Sequence, residues 1–457
     1  MNIRRVLIAN RGEIAVRIAR TCRRLGIETV LAASEADRDS LPSRMVTRTL
    51  CIGPAHPTAS YLKPELLVQA ALGTGCDAVH PGYGFLSERA TFARLCEQQG
   101  LTFIGPTADQ LAAAGDKLAA RALAADVGVP VAPGGEAPSL EAARELARRI
   151  GAPLLVKAAG GGGGRGMKLV ERAEDLEAAL AVAAAEAGAA FGDGRVYLER
   201  FVSFARHVEV QVLGDGAGNV VHLGERDCSV QRRYQKLIEE TPAPALSAQF
   251  RTRLHEAALR FAARLKYRGA GTVEFLVDVA RGEFFFLEMN ARIQVEHPVT
   301  EVVSGIDIVE AQIAIAGGGG LRLARGESWR EGCAIECRVN AEDPARDFAP
   351  SPGTVRLARW PEGEGIRVDT HIESGAQVPP FYDSLLGKII AHGRDRSQAL
   401  SRLRAAVAVT RIEGVASNLG LHAEVLADPE FVSGGVDTNY LARLLDRRQV
   451  RAAAVHG

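Results

Sequence analysis

The sequence has no excess of either charge and no long apolar run. Lys+Arg and Asp+Glu are each 55 among 457 residues, so the formal net charge is zero. Proteins that bind nucleic-acid backbones or anionic membrane surfaces need an excess of positive charge, which this chain lacks. The apolar runs are also shorter than the ~18 residues that a membrane span requires. We therefore expect no nucleic-acid partner and no membrane.

Cysteine lacks the spacing that a zinc site or a disulfide framework needs. The seven cysteines are odd in number and scattered, and no CxxC pair is matched by a second pair. We therefore expect free thiols in a reducing cytoplasm and no structural zinc. The short apolar run at the N-terminus continues directly into Arg11-Gly12-Glu13, so we expect a first strand there and not a signal peptide.

Lysine is scarce, with seven residues against 48 arginines. The two are not interchangeable, because an ammonium is a compact point charge and a guanidinium is a planar fork. Genome bias is one explanation of the ratio, and on that explanation several of the lysines are accidental. Where lysine is kept, however, a role for a point charge is to be considered. The seven are Lys63, Lys117, Lys157, Lys168, Lys236, Lys266 and Lys388.

The N-terminal region alternates strand and helix patterns, which predicts βαβ units and a parallel sheet. Ligands bind such sheets at the carboxyl ends of the strands, here the loops 10–13 and 80–85. The first loop lacks the dinucleotide glycine fingerprint, so NAD is not indicated. The predicted strands are 5–9, 29–33, 78–80 and 101–104, and the predicted helices are 13–25, 61–72 and 92–99.

Composition and pattern divide the rest of the chain into further regions. A helix at 116–127 and a Pro/Gly-rich joint at 130–138 precede a small unit of helices and short strands at about 139–200. Mostly strands follow over 206–290. The glycines of 317–320 mark a plausible boundary before a third region, 331–446.

Five consecutive glycines, Gly160–Gly164, follow an apolar segment that carries Lys157. Glycine favours close approach of the backbone to a ligand, and N–H groups in such loops cradle phosphates. A Walker A loop is excluded, because no Gly-Lys-Ser/Thr leads into a helix. The loop joins two apolar strands, which favours a glycine-rich flap, with a flexible linker as the alternative. Met167-Lys168-Leu169 resembles a biotin-attachment tripeptide, but its glycine-loop context is wrong for one.

Two strands, 272–277 and 283–290, form a predicted hairpin with its turn at 280–282. With Arg281 as the midpoint, Glu274 lies opposite Glu288 and Thr272 opposite Asn290. Like charges directly opposed on a strand pair are destabilising. Two carboxylates and an amide on one face are oxygen ligands suited to Mg²⁺ bound together with phosphates. The alternative is a solvated polar face.

Polar residues continue beyond this hairpin. Arg292, Gln294 and Glu296 alternate with Ile293 and Val295, which places an arginine, an amide and a carboxylate next to the predicted metal site. Upstream, the segment 225–236 is dense in charge. These features suit an anionic substrate, although a basic cluster is also compatible with a solvated face.

The assembled motifs resemble biotin carboxylase, a family of ATP-grasp ligases. The resemblance is carried, in order from residue 3 to about 445, by the segments 10–15, 80–88, 157–167, 206–209, 225–236, 288–301 and 336–343. It implies a mixed α/β and α+β chain. The implied domains are an N-terminal Rossmann-like (pre-ATP-grasp) parallel-sheet domain, 1–114, an ATP-grasp domain, 115–330, with a mobile glycine-rich lid at about 131–203, a C-terminal α+β domain, 331–446, and a tail, 447–457.

The resemblance also implies site residues. Those implied for ATP are Lys117, Lys157, Gly163, Gly164, Met167, Glu199, Arg200, Val202, His207, Gln231, Tyr234, Glu274 and Glu288. Tyr234 stands where the commonest family pattern has His. The implied ligands of two Mg²⁺ or Mn²⁺ are Glu274, Glu288 and Asn290. Those implied for bicarbonate or biotin are Tyr83, Lys236, Arg292, Gln294, Val295, Glu296 and Arg338. Among these, Lys236, Arg292, Glu296 and Arg338 are the implied catalytic residues, with Glu296 as the base.

The implied activity is ATP-dependent carboxylation of biotin with bicarbonate through carboxyphosphate. This is the first half-reaction of a biotin-dependent carboxylase, and acetyl-CoA or acyl-CoA carboxylase is the expected one. Biotin is expected on a partner carrier protein, with a carboxyltransferase as a second partner and a homodimer as the assembly. The alternatives are another ATP-grasp carboxylate ligase and a catalytically inactive nucleotide-binding subunit.

Overall fold

The structure is a computed structural model that describes residues 3–159, 167–321 and 332–456, without the side chains of 191 and 449–456. Its N-terminal part contains a parallel sheet of five strands. When the strands are numbered along the chain, they lie side by side in the order 3-2-1-4-5. Apolar residues on both faces of this sheet are buried beneath helices, as parallel sheets require. The strands are Arg5–Ile8, Glu28–Ala33, Arg48–Cys51, Ala78–His80 and Thr102–Phe103, and the helices are Gly12–Arg24, Leu41–Met45, Pro64–Gly73, Ala90–Gln98, Ala108–Gly115 and Lys117–Asp126.

The predicted helix 61–72 begins later than expected, at Pro64. Proline is well placed at a first helical position, because its missing N–H has no partner there. Tyr61 instead lies in the preceding turn, fully buried, and its hydroxyl donates to Asp37 at 2.7 Å. The aromatic residue therefore belongs to the core between elements and not to the helix.

An antiparallel sheet of eight strands forms the centre of the molecule. The expectation of mostly strands over 206–290 omitted one helix, Ala248–Arg264, whose apolar positions Leu254, Ala257, Ala258 and Phe261 have helical spacing. The sheet continues across the expected boundary at 330, because Gln235–Thr241 pairs with a strand from beyond it. In spatial order the strands are Glu283–Asn290, Arg268–Asp278, Arg206–Asp215, Val220–Arg232, Gln235–Thr241, Cys333–Asn340, Leu385–Gly393 and Ile366–Thr370.

The region predicted as a lid is a small unit with its own apolar cluster. The strands on either side of the glycine segment pair antiparallel, Leu154 with Val170 and Val156 with Lys168, as a flap requires. The strands are Gly134–Glu136, Leu154–Ala158, Lys168–Val170 and Val196–Arg200, and the helices are Leu140–Ile150 and Leu176–Phe191.

The C-terminal part packs helices and short strands around the far end of the central sheet. The last helix runs through most of the predicted tail. No helix in the described ranges is long and apolar enough to cross a membrane. The helices of this part are Arg396–Val409, Leu419–Ala427, Pro429–Ser433 and Tyr440–His456, and its short strands are Glu342–Asp343, Ala349–Pro350, Gly353–Thr354, Leu357–Arg359, Gln377–Val378 and Arg411–Glu413. Two helices precede it: His297–Ser304 packs on the central sheet, and Ile308–Ala316 packs on the N-terminal part and the central sheet.

Candidate functional site

A cavity of about 860 Å³ lies where the N-terminal loops, the small unit predicted as a lid, the central sheet and the C-terminal part meet. Loops 10–13 and 83–85, at the carboxyl ends of parallel strands, form one wall, as the topology predicts. The predicted site residues that line it are Tyr83, Lys117, Lys157, Met167, Val202, His207, Gln231, Tyr234, Lys236, Glu274, Glu288, Asn290, Arg292, Gln294, Val295, Glu296 and Arg338.

Of the remaining predicted residues, Gly163 and Gly164 lie outside the described residues, and Glu199 and Arg200 do not line the cavity. Glu199 is buried behind the wall, where it pairs with Lys157. Arg200 points away from the cavity, because its guanidinium contacts Glu283 at 3.3 Å and lies 5.0 Å from the centre of the Phe285 ring. The structure therefore does not bring the Arg200 side chain into the site.

The hairpin that carries Glu274 and Glu288 pairs at the site as predicted, although the turn is not centred where the prediction placed it. Glu274 lies opposite Glu288 and Thr272 opposite Asn290. Nearer the turn the register is shifted by one, with Phe275 opposite Phe286, so a midpoint at Arg281 is wrong for that part. An irregularity between these two stretches, with Leu287 as the extra residue, corrects the shift.

Glu274 is the most heavily hydrogen-bonded carboxylate of the site. One oxygen accepts from Lys236, Asn290 and Gln294 at 2.8–2.9 Å, and the other lies 3.0 Å from Nε2 of His207. Burial raises the pKa of Glu274, but Lys236 and His207 outweigh burial and hold that pKa well below its usual range. The carboxylate is therefore anionic at neutral pH.

The donor set fits divalent metal ions. Glu274 and Glu288 supply carboxylate oxygens, and Asn290 supplies an amide oxygen on the same face, which is the chemistry that Mg²⁺ and Mn²⁺ prefer. His207 and Glu209 add ligand atoms within 4.8 Å of those of Glu274. The charge of Glu288 is balanced by Lys117, 2.9 Å away.

Lys236 connects three carboxylates. Its Nζ donates to Glu209 at 2.6 Å, to Glu296 at 2.7 Å and to Glu274 at 2.9 Å. Burial disfavours the ammonium, but these three anions raise the pKa of Lys236 well above its ordinary value. A positive point charge therefore stands between Glu274, a candidate metal ligand, and Glu296.

Glu296 lies between two cations. One oxygen accepts from Lys236, and the other accepts from Arg338 at 2.8 Å. Burial raises the pKa of Glu296, but the three cations Lys236, Arg338 and Arg226 lower it by more. The net shift of this pKa is therefore strongly downward. Arg338 also donates to buried Glu239 at 2.6 Å. A small anion that entered here would meet two positive groups and one carboxylate.

Arg292 is oriented by a residue that the sequence analysis did not select. Glu88 accepts from Nε of Arg292 and from the Ala291 backbone N–H, both at 3.0 Å, while Arg292 donates to Asn290 at 2.8 Å. Glu88 stands in the motif segment 80–88, so the signal was present but indicated no role. The guanidinium of Arg292 is thus fixed beside Asn290, a candidate metal ligand.

Arg226 is a second omitted residue, and it is completely buried. Its guanidinium donates to Glu209 at 2.6 Å and to the side-chain oxygen of Gln294 at 2.7 Å. Because that oxygen is occupied, the amide nitrogen of Gln294 faces Glu274. Nothing in the pattern 225–236 distinguished this arginine from its neighbours, since its role depends on strands that are distant in sequence.

The two lysines predicted for phosphate are both paired with carboxylates. Lys117 contacts Glu288, and Lys157 contacts Glu199, which Arg121 also contacts. Arg121 was not selected from sequence. When a phosphate group binds here, each lysine would therefore exchange its carboxylate partner for a phosphate oxygen.

Tyr234 stands at the tip of the hairpin formed by Val220–Arg232 and Gln235–Thr241. Arg233 and Tyr234 both have positive φ, 47° and 67°, as a two-residue type I′ hairpin loop requires. Such loops favour Asn and Gly, so two large residues here are strained. The Tyr234 side chain is 56% exposed at the cavity mouth. It is therefore placed to contact a bound molecule without being held by the core.

Comparisons with known proteins agree along the whole chain. Residues 2–111 match the model of the biotin carboxylase N-terminal domain, 116–324 that of the carbamoyl-phosphate synthase L chain ATP-binding domain, and 336–443 that of the biotin carboxylase C-terminal domain. The chain is 48% identical to a biotin carboxylase of Pseudomonas aeruginosa over 97% of this chain and 99% of that one. It is 44% identical to a pyruvate carboxylase subunit of Methanothermobacter thermautotrophicus, over 96% and 89%.

A solved structure gives the same result. The biotin carboxylase domain dimer of 2-oxoglutarate carboxylase from Hydrogenobacter thermophilus, in complex with MgADP, ADP and bicarbonate, superposes with a TM-score of 0.94. Its sequence is 43% identical, and the match covers 97% of this chain and 98% of that one. The predicted fold class is confirmed by this match.

Proposed function

The chain belongs to the biotin carboxylase family, and we propose that its ATP-dependent carboxylation of biotin serves an acetyl-CoA or acyl-CoA carboxylase. The observation that carries the chemical part is the position of Glu296, held between Lys236 and Arg338. A site for an anionic substrate needs fixed cations, and a site that deprotonates this substrate also needs a carboxylate. The cavity offers both within one set of contacts.

We propose that bicarbonate binds among Lys236, Arg292, Gln294 and the Val295 backbone. When bicarbonate takes hydrogen bonds from the cations beside Glu296, fewer remain for that carboxylate, and the pKa of Glu296 rises. The carboxylate then accepts the proton of bicarbonate. The resulting dianion attacks the γ-phosphorus of ATP, which forms carboxyphosphate and releases ADP.

Carboxyphosphate then breaks down to CO₂ and phosphate. The phosphate removes the N1′ proton of biotin, and Arg338 stabilises the negative charge that develops on the ureido oxygen. N1′ attacks CO₂ to give carboxybiotin. Tyr83, on the wall formed by the N-terminal loops, is proposed to contact biotin.

Divalent metal ions assist the phosphoryl transfer. We propose that Glu274, Glu288 and Asn290 hold two Mg²⁺ or Mn²⁺, which neutralise charge on the transferred phosphoryl group when bound. Lys117 and Lys157 then contact phosphate oxygens in place of Glu288 and Glu199. The remaining ATP contacts are proposed at Met167, Val202, His207, Gln231 and Tyr234, which line the cavity.

Partner subunits complete the proposed reaction cycle. Biotin is supplied by a carrier protein, and the carboxyl group is passed on by a carboxyltransferase. We propose a homodimer in the cytoplasm, supported by the dimer of the solved relative and by seven free cysteines. A keto acid acceptor is the second candidate, because relatives from pyruvate carboxylase and 2-oxoglutarate carboxylase match nearly as well as the biotin carboxylase relative.

The acceptor is tested by purifying the chain from its source cells with its bound subunits. The complex is then assayed for ¹⁴C-bicarbonate fixation with acetyl-CoA, propionyl-CoA, pyruvate and 2-oxoglutarate. We expect ATP-dependent fixation with an acyl-CoA. Fixation with a keto acid alone would contradict the acyl-CoA proposal and leave the first half-reaction unaffected.

A further inference from the structure

Lys388 is a fully buried lysine on the central sheet, with a side-chain exposure of 0%. It lies on Leu385–Gly393, directly opposite Arg338 on one neighbouring strand and Asp369 on the other. Directly opposed residues share a face of a sheet, so Lys388 lies beside Arg338, which lines the cavity. Lysine is almost never fully buried unless it is paired, which calls for an account of its partners.

The ammonium of Lys388 holds the backbone beside the proposed base. Its Nζ donates to the Val295 carbonyl oxygen at 2.7 Å. That carbonyl and the Glu296 N–H belong to one planar peptide unit, so fixing the oxygen fixes the start of Glu296. The contact therefore acts on the segment proposed to bind bicarbonate without touching bicarbonate.

The same ammonium also reaches the wall formed by the N-terminal loops. Nζ lies 2.9 Å from Oε1 of Glu13, and the Tyr83 hydroxyl donates to that same oxygen. Tyr83 lines the cavity on the side proposed for biotin. One buried cation thus joins the proposed bicarbonate wall to the proposed biotin wall.

We propose that Lys388 is a positioning residue that sets the geometry of both substrate subsites through Val295 and Glu13. The proposal rests on the function proposed above, since it presumes the roles of Val295, Glu296 and Tyr83. The phosphate lysines pair with other carboxylates, Lys117 with Glu288 and Lys157 with Glu199. ATP binding is therefore not expected to depend on Lys388.

The choice of lysine supports this role. The chain has 48 arginines and seven lysines, and it keeps lysine at a position with no exposed surface. A compact ammonium reaches two oxygens from different walls, whereas a planar guanidinium needs more room and a different donor geometry. Overpacking a closed site displaces its neighbours. Arginine is therefore not expected to replace Lys388 without moving Val295.

A purely structural role must be separated from positioning. The Lys388 ammonium interacts electrostatically with three carboxyl groups, those of Glu13, Glu336 and Asp369. Removing the charge of Lys388 alone therefore leaves buried anions uncompensated and destabilises the fold. The test therefore uses the double variant Lys388→Met/Glu13→Gln, in which one charge of each sign is removed. The introduced glutamine retains an acceptor oxygen for the Tyr83 hydroxyl. The control is Lys63→Met, the same substitution at an exposed lysine.

The measurements are the melting temperature and the KM values for bicarbonate, free biotin and ATP, on the full chain. If Lys388 positions the subsites, the folded double variant raises the KM values for bicarbonate and biotin at least about tenfold and changes the KM for ATP less than about twofold. Wild-type KM values in the folded double variant would overturn the proposal.

If the double variant does not fold, Lys388→Arg decides, because it keeps the charge. A raised bicarbonate KM supports positioning, and an unchanged one overturns it. Failure of the proposed function looks different: wild type and Lys63→Met then both fail to carboxylate biotin, and the inference about Lys388 falls with that function.

Discussion

Glu296→Ala is expected to lower the rate of biotin carboxylation by about 10³-fold, while ATP still binds. The substitution removes the proposed base and the shared anionic partner of Lys236 and Arg338. It leaves the phosphate lysines Lys117 and Lys157 in place. The measurement is kcat for carboxylation of free biotin, together with the Kd for ATP.

Two further variants make this result specific. Glu296→Gln keeps the shape and one acceptor oxygen but cannot take a proton at the relevant pH, so it is expected to be nearly as inactive as Glu296→Ala. Glu362→Ala changes an exposed glutamate and is expected to behave as wild type. Near-normal carboxylation by Glu296→Ala would contradict the role given to Glu296.

Glu288→Gln is expected to lower kcat by about 10²-fold and to raise the Mg²⁺ concentration needed for half-maximal rate by at least about tenfold. The substitution keeps the side chain's size but removes one of two opposed carboxylates at the proposed metal site. It also leaves Lys117 without its anionic partner. The measurement is the carboxylation rate as a function of Mg²⁺ and of Mn²⁺.

The matched control for this variant is Glu283→Gln on the same strand. Glu283 lies near the turn, where it contacts Arg200 and not the cavity. We expect its metal dependence to equal that of wild type. An unchanged Mg²⁺ dependence in Glu288→Gln would show that this carboxylate does not hold the metal.

The hairpin shows what sequence can and cannot specify here. Strand alternation placed Glu274, Glu288 and Asn290 on one face, and the structure places them there. The irregularity at Leu287 was not predictable, because an extra residue in a strand leaves no compositional mark. The predicted register was right at the site only because this irregularity offset an incorrect midpoint.

The residues that hold the site were harder to predict than the residues that line it. Lys236, Glu296 and Arg338 stand in motif segments whose resemblance implies their roles. Glu88, Glu209 and Arg226 also stand in such segments, but no role was implied for them. Glu88, Glu209 and Arg226 act through partners that are far away in sequence and become neighbours only when the central sheet forms. A single sequence gives no indication of which of these residues will be in contact. In the opposite direction, Arg200 stands in a plausible segment, but strand alternation turns its side chain outward.

Biotin carboxylation by this chain is measured by incubating the purified chain with ATP, Mg²⁺, ¹⁴C-bicarbonate and free biotin. We expect label to enter biotin with one ADP formed per carboxybiotin, and no labelling when ATP or Mg²⁺ is omitted. We also expect ATP turnover to require bicarbonate and to rise when biotin is added. ATP hydrolysis that is independent of both bicarbonate and biotin, with no label in biotin, would show that the chain does not carboxylate biotin.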